Sequence, residues 1–151
     1  MAYINRIAIV AFFTILVSCA IPQQQKLATP SGNPEIIISN VTRKAVIDRL
    51  IEAKLQMGMQ LKSVSDYSVV FGQKADTSNF MASLAYGSRY DPTPEARITY
   101  NVVEIANGVR VFSRLEVVTN PGSGFERVSD RTQSYAQKMQ NELVQLRASF
   151  Y

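Results

Sequence analysis

Residues 98–118 have the sequence ITYNVVEIANGVRVFSRLEVV, in which two runs of alternating apolar and polar residues flank Asn107-Gly108. Asn and Gly are the residues that most readily take the positive φ angles of a two-residue type I′ turn. The segment therefore predicts a β-hairpin in which Ala106 faces Val109 and Ile98 faces Val117.

The two faces of this hairpin differ in composition. One face is mostly apolar and is expected to pack against helices. The other has a polar base, but Val103, Ile105 and Phe112 cluster near its tip. A sheet with helices on one side is usually polar on the other, so exposed apolar residues there indicate a contact site. The linker, the loop at residues 87–95 or a β-bulge could instead cover the cluster.

Upstream of the hairpin, the sequence predicts a strand, a helix and two more strands. Ile36-Ile37-Ile38 is a short β-branched run typical of a strand. A helix follows, with Ser39 or Asn40 as its N-cap and Gly58 as its stop. Its apolar stripe has helical spacing and consists of Val46, Leu50, Ala53 and Met57. Alternating runs at residues 61–71 and 80–86 predict the next two strands.

After the hairpin, residues 120–124 break the strand, and a last helix is expected with Ser129 or Asp130 as its cap. With Asp130 as the cap, Gln133 takes the capping-box position. The apolar stripe of this helix is Tyr135, Met139, Leu143, Leu146 and Phe150. The order β-α-β-β-β-β-α predicts an α+β two-layer sandwich, an antiparallel sheet with two helices on one face.

The N-terminus carries a different kind of signal. Arg6 precedes an apolar run at residues 7–17 that is too short to cross a bilayer. Leu16-Val17-Ser18-Cys19 then resembles the lipobox of bacterial lipoproteins. The resemblance implies cleavage before Cys19, a diacylglycerol on its thiol, and acylation of the new amine by a fatty acid such as palmitate. Ala20, in place of an Asp, implies export to the outer membrane.

The domain organisation follows from these signals. We expect a lipoprotein signal peptide at residues 1–18, a lipidated cysteine and flexible linker at 19–34, and a single α+β domain at 35–151. The linker contains three prolines and no apolar period. Fully extended, it would let the domain move up to about 50 Å from its anchor.

Composition excludes several classes of function. The chain has no His and only one Cys, which the lipid uses. Catalysis by Ser-His-Asp or Cys-His groups and most zinc sites are therefore excluded. The net charge of +4 is spread along the chain without a basic run, which argues against nucleic acid as a partner. We expect no cofactor and no metal.

Two loops could in principle carry chemistry. Gly122-Ser123-Gly124 could hold an anion, but it lacks the Gly-Lys-Ser/Thr signature of a phosphate loop, so a plain turn is favoured. Asp91 and Glu95 form a carboxylate pair without the ordered ligand series of a Ca²⁺ site, so a solvated loop is favoured.

Two further groupings contain residues that carry chemistry in other proteins. Ser63, Ser65 and Ser68 with Lys62 contain the atoms of a Ser-Lys dyad, but nothing desolvates the lysine. Glu104 falls on the predicted core face near the hairpin end, where an edge position that reaches water is favoured over a buried functional acid.

The best candidate for function is therefore a surface. We expect Val103, Ile105 and Phe112 to form a partner-binding site, to which Tyr86, Tyr90 and Tyr100 could add. The protein would be a non-enzymatic, membrane-anchored accessory or assembly factor that binds another envelope protein through the open sheet face or an edge strand. The alternative is a carrier of a small ligand or lipid, with a cavity between helices and sheet. The oligomeric state stays open.

Overall fold

The computed structural model describes residues 26–74 and 94–151. Its elements are β1 (Glu35–Ser39), α1 (Arg43–Gln56), β2 (Gln60–Val64), β3 (Ser68–Lys74), β4 (Glu95–Ile105), β5 (Gly108–Thr119), β6 (Arg127–Asp130), a 3₁₀ turn (Gln133–Tyr135) and α2 (Ala136–Ala148). The sheet is antiparallel and has the order β1-β5-β4-β3-β2, while β6 pairs with the far half of β5. The predicted α+β class and element order are confirmed.

The core lies between the sheet and the two helices. α1 buries Val46, Ile47 and Leu50, and α2 buries Met139, Leu143 and Leu146. These side chains form one cluster with the helix-facing residues of the sheet: Ile36, Ile38, Val69, Phe71, Ala96, Ile98, Tyr100, Val102, Val109, Val111, Leu115 and Val117. Both helices therefore cover the same face. We call the other one the open face because no helix of the described residues packs on it, although Glu95 and Val118 at its far end are buried.

The hairpin forms, but its register differs from the prediction. Val109 pairs with Glu104 rather than with Ala106, and the loop consists of Ala106 and Asn107. Gly108 has a φ of 149°, whereas Asn107 is not among the described residues with positive φ, so the type I′ turn was wrong. The backbone N–H of Asn40, just after β1, donates to the carbonyl of Asn107 at 3.1 Å. A third segment of chain thus helps to set the geometry of the turn.

The change of register leaves each side chain on its predicted face. The partner of Val109 on β4 is Glu104 instead of Ala106, which is a shift of two positions. Residues two apart on a strand point to the same side. The side chains of Val102, Leu115 and Val117 are accordingly buried under the helices.

α1 begins later than the capping prediction placed it. The Thr42 hydroxyl accepts a hydrogen bond from the N–H of Ala45 at 3.2 Å, so Thr42 is the N-cap. Asn40 instead has a φ of 59°, where the chain turns away from β1. The helix ends before Gly58, whose φ of 78° fits the predicted stop.

The alternating run at residues 61–71 forms two strands rather than one. β2 and β3 are joined by a tight turn in which the Ser65 hydroxyl accepts hydrogen bonds from the N–H groups of Tyr67 and Ser68. A serine side chain that satisfies the amides of the next residues is a common device in turns. The strand predicted at residues 80–86 and most of the loop at 87–95 lie outside the described residues.

The segment before α2 also differs from the prediction. Residues 127–130 form β6, and α2 begins at Ala136. The Asp130 carboxylate accepts from the N–H of Thr132 at 2.8 Å, so it caps a turn rather than the helix. Thr132 in turn places its hydroxyl 3.1 Å from the N–H of Leu115, which docks this turn on β5.

Part of the predicted linker is bound to the domain. Residues 29–33 form a turn in which the hydroxyl of Thr29 donates to the carbonyl of Asn33 at 2.7 Å. The side chain of Gln133, expected in a capping box, donates to the Asn33 side chain at 2.8 Å. Nine residues, 20–28, lie between Cys19 and this turn, and a chain of that length spans at most about 30 Å.

Candidate interaction surface

The open face of the sheet has two halves, and the half away from the hairpin tip is a network of ion pairs. Seven of its charged groups form five ion pairs at distances of 2.8–3.8 Å: Lys62–Glu95, Arg97–Glu95, Arg97–Glu126, Arg114–Glu116 and Arg114–Asp130. The exposed Lys74 forms none with the described residues. Charges that are already matched within the chain give a partner little to bind.

The half near the hairpin tip is apolar. We use the name tip patch for Ile37, Val103, Ile105 and Phe112 together with Arg110. Ile37, Val103 and Ile105 are 46%, 43% and 38% exposed. The strand register places Ile37 and Val103 on either side of Arg110, because Arg110 pairs with both of them. The tip patch thus runs across three strands.

Arg110 is held in place at the centre of the tip patch. Its guanidinium lies 5.3 Å from the ring centroid of Phe112, and one of its nitrogens lies 3.4 Å from a carboxylate oxygen of Glu35. Glu35 is buried, so this pair is shielded from solvent on one side. Phe112 is consequently half-buried beneath the guanidinium rather than fully open.

The predicted site residues divide between two faces. Val103, Ile105 and Phe112 lie together on the open face. Tyr100 lies on the helix-facing side and is only 2% exposed, so it does not contribute to the surface. Tyr86 and Tyr90 lie outside the described residues.

Ile37 belongs to the tip patch but is not among the predicted site residues. The signal was present, because successive residues of a strand point to opposite faces. In the run of Ile36, Ile37 and Ile38, burying the outer two therefore places the middle one on the open side.

The outer edge of β1 is not available to a partner's strand. The Gln140 side chain accepts from the N–H of Glu35 and donates to its carbonyl, both at 2.9 Å. The Tyr151 hydroxyl contacts the N–H and the carbonyl of Ser39, both at 3.2 Å. Covering an edge in this way prevents strand addition, which leaves the face rather than this edge as the candidate surface.

A second feature lies on the helix-facing side, around Tyr100. Its ring meets Phe71 edge-on with centroids 6.1 Å apart. The Lys54 ammonium lies 5.5 Å from the ring centroid of Tyr100 and 2.7 Å from a carboxylate oxygen of Glu142. A cation, a phenol and a carboxylate from α1, β4 and α2 therefore meet at the edge of the core.

Burial and charge shift the pKa values of this group. Burial, which disfavours the phenolate, raises the pKa of Tyr100 above its usual range, although the nearby Lys54 charge opposes the shift. Burial alone would lower the pKa of Lys54, but its contacts with Tyr100 and Glu142 outweigh that effect and raise it.

We expect these shifts to make the protein sensitive to alkali. Above about pH 10 the unfolded chain loses the Tyr100 proton while the folded chain keeps it, so stability present at lower pH is lost as pH rises. Lys54 acts in the same direction. The free energy of unfolding should fall by up to about 1.4 kcal/mol per pH unit for each group. Urea unfolding at pH 8 and pH 11 should show that Tyr100→Phe loses less unfolding free energy between the two pH values than the wild type does. Equal losses in the two proteins would contradict the prediction.

The other groupings raised by the sequence have structural partners. In the loop at residues 120–126, the N–H of Gly122 donates to the carboxylate of Glu126 at 2.8 Å, so this amide already holds an anion of the chain itself. The Lys62 ammonium pairs with the carboxylate of Glu95 at 2.8 Å. Glu104 is exposed at the edge, where its carboxylate lies 4.0 Å from Arg43.

Comparison with known proteins gives no relationship for this chain, since no model of a protein family and no curated protein matches it. In residues 26–74 and 94–151, no helix is both long and apolar enough to cross a membrane. Within the same ranges, no three potential metal ligands of the His, Cys, Asp and Glu types come together.

Proposed function

We propose that this protein is a membrane-anchored envelope lipoprotein, held by a lipid on Cys19, that binds another envelope protein through the tip patch and acts as a non-enzymatic accessory or assembly factor. The observation that carries the proposal is the contrast within the open face. One half matches its own charges, while the other leaves three branched apolar side chains beside a positioned arginine.

The chemistry of the tip patch suits a protein partner. Arginine and aromatic residues are enriched among the side chains that contribute most to protein interfaces. Arg110 stays positioned through its contacts with Phe112 and Glu35, so binding would cost little conformational entropy at this side chain. Asn101, which pairs with Phe112 across the strands, is an exposed polar residue of the kind found at an interface rim.

The tether supports the same proposal. A lipid on Cys19 followed by about 30 Å of chain would confine the domain to a thin layer above the membrane. Confinement of this kind raises the effective concentration of a partner held in the same membrane. A small apolar patch is then sufficient for a stable complex.

The test is a double variant, Val103→Ser with Ile105→Ser. Both side chains are exposed in the free protein, so the fold should be kept. A complex that buries them would lose about 1.5 kcal/mol for each, or about 100-fold in affinity together. We expect the wild-type protein, cross-linked in intact envelopes and purified, to carry a defined partner that the double variant lacks.

The matched control is Val128→Ser, which removes a comparably exposed valine from β6. β5 lies between β6 and β4, the strand that carries Val103 and Ile105. This control should retain the cross-linked partner. The proposal fails if the double variant, shown to be folded by circular dichroism, captures the same partner in the same amount as the control.

A further inference from the structure

A cleft of about 220 Å³ opens between α1 and α2, and its floor is the Tyr100 side chain. The cleft is lined by apolar groups of both helices, including Leu50, Ala53, Leu143 and Leu146. A volume of this size holds about seven water-sized groups, which is less than most drug-sized ligands need. It is suited to a short hydrocarbon chain with one polar end.

A buried cation marks where that polar end would lie. Lys54 is only 6% exposed and places its ammonium at the inner end of the cleft, beside Tyr100. Arg49 lines the same cleft, but its guanidinium is paired with Glu52 at 2.7 Å, so its charge is already matched. Glu142 is the one carboxylate among the lining residues, and Lys54 is therefore the cation that an incoming anion would meet in place of Glu142.

Glu142 reaches Lys54 from the solvent side of the cleft. Its carboxylate is 2.7 Å from the Lys54 ammonium, and its side chain remains a quarter exposed, whereas that of Lys54 is almost fully enclosed. A second carboxylate can therefore replace it at Lys54 while Glu142 turns towards water. The buried ammonium is paired before and after this exchange, so the large cost of an unpaired buried charge is avoided.

We propose that this cleft binds a small amphipathic carboxylate of medium chain length, with its carboxylate on Lys54 and its hydrocarbon chain against Leu50, Leu143 and Leu146. Glu142 occupies the anion position when the ligand is absent. The site lies on the helix-facing side of the sheet, so it is separate from the tip patch and does not depend on the proposed protein partner.

The test uses the purified full-length protein in lipid nanodiscs, with a photoactivatable diazirine analogue of octanoate as the probe. We expect adducts on α1 and α2, located by mass spectrometry, and competition by octanoate but not by octanol, which has the same chain without the charge. Each methylene added to the competitor should tighten binding by about fourfold until the cleft is full.

The two partners of the ion pair should respond in opposite directions. Lys54→Met removes the anion position and should weaken octanoate binding at least tenfold. Glu142→Gln removes the internal competitor and should strengthen binding about tenfold. If Lys54–Glu142 is only a structural pair, neither variant binds octanoate more weakly or more strongly than the wild type does, and the proposal is overturned.

Two further variants complete the test. Lys44→Met, an exposed lysine on the same helix, should leave labelling unchanged and excludes a general effect of charge. Ala53→Phe fills the cleft and should abolish competed labelling with Lys54 still present. The proposal is contradicted if labelling persists in Ala53→Phe, or if octanol prevents labelling as well as octanoate does. These two outcomes can be measured even if Lys54→Met fails to fold.

Discussion

Replacing Cys19 with Ala is expected to move the protein from the membrane fraction to the soluble fraction. Each buried methylene of an acyl chain contributes about 0.8 kcal/mol, so two or three chains on one cysteine hold a domain of this size almost irreversibly. Without the thiol no chain can be attached, since Cys19 is the only cysteine of the sequence. Carbonate extraction of membranes measures whether the protein stays membrane-bound, and incorporation of labelled palmitate measures whether an acyl chain is attached.

The control for this prediction is Ala20→Asp, which keeps the cysteine and changes the residue that follows it. By resemblance to bacterial lipoproteins, this variant should stay lipidated but be retained in the inner membrane rather than exported to the outer one. A Cys19→Ala protein that stays in the carbonate-washed membrane would show that the chain is held by something other than a lipid.

Replacing Gly108 with Ala is expected to destabilise the fold by about 3–5 kcal/mol, which is among the largest effects of single substitutions. A Cβ at this position would lie 2.1 Å from the carbonyl oxygen of Ile38 and 2.8 Å from the Cα of Ser39. Both are backbone atoms of β1, so relief requires the strand to move away from β5. The φ of 149° adds strain for any residue with a Cβ. Urea unfolding measures the loss.

Gly122→Ala separates the two contributions to this loss. Gly122 also has a positive φ, 76°, but a Cβ there meets nothing within 4 Å. We expect it to cost only about 1 kcal/mol, from backbone strain alone. Equal losses in the two variants would show that contact with β1 is not what requires glycine at position 108.

Patterns within single elements were sufficient for much of the architecture. The alternation on either side of Asn107-Gly108 predicted a hairpin and the correct face for each of its side chains. The apolar stripes predicted both helices and placed them on one side of the sheet. These predictions succeed because burial of apolar side chains follows periods of two and of 3.6 residues, which a local sequence displays directly.

Predictions that depended on hydrogen bonds of single residues were less accurate. Asp130 and Gln133 were expected to cap a helix, but Asp130 holds Thr132 and Gln133 holds the chain at Asn33. The same side chain can cap a helix or bind a distant backbone, and the choice depends on which segment lies nearby. Ser65 similarly ends a strand because its hydroxyl meets two amides in a turn.

The candidate sites show the same division. Local pattern identified Val103, Ile105 and Phe112 as one cluster. It could not show that β1 adds Ile37 to them, or that Arg110 covers Phe112 by pairing with Glu35. Nor could it bring Lys54, Tyr100 and Glu142 together, since they belong to three elements far apart in the chain.

The lipobox resemblance, the fold class and the faces of each element follow from residues that are close together in the chain, because their signals are motifs and periods. The hairpin register, the covered edge of β1, the extent of the tip patch and the cleft depend on tertiary structure. Each arises where a side chain or a backbone group meets a segment up to about a hundred residues away, and no local period encodes which segment that is.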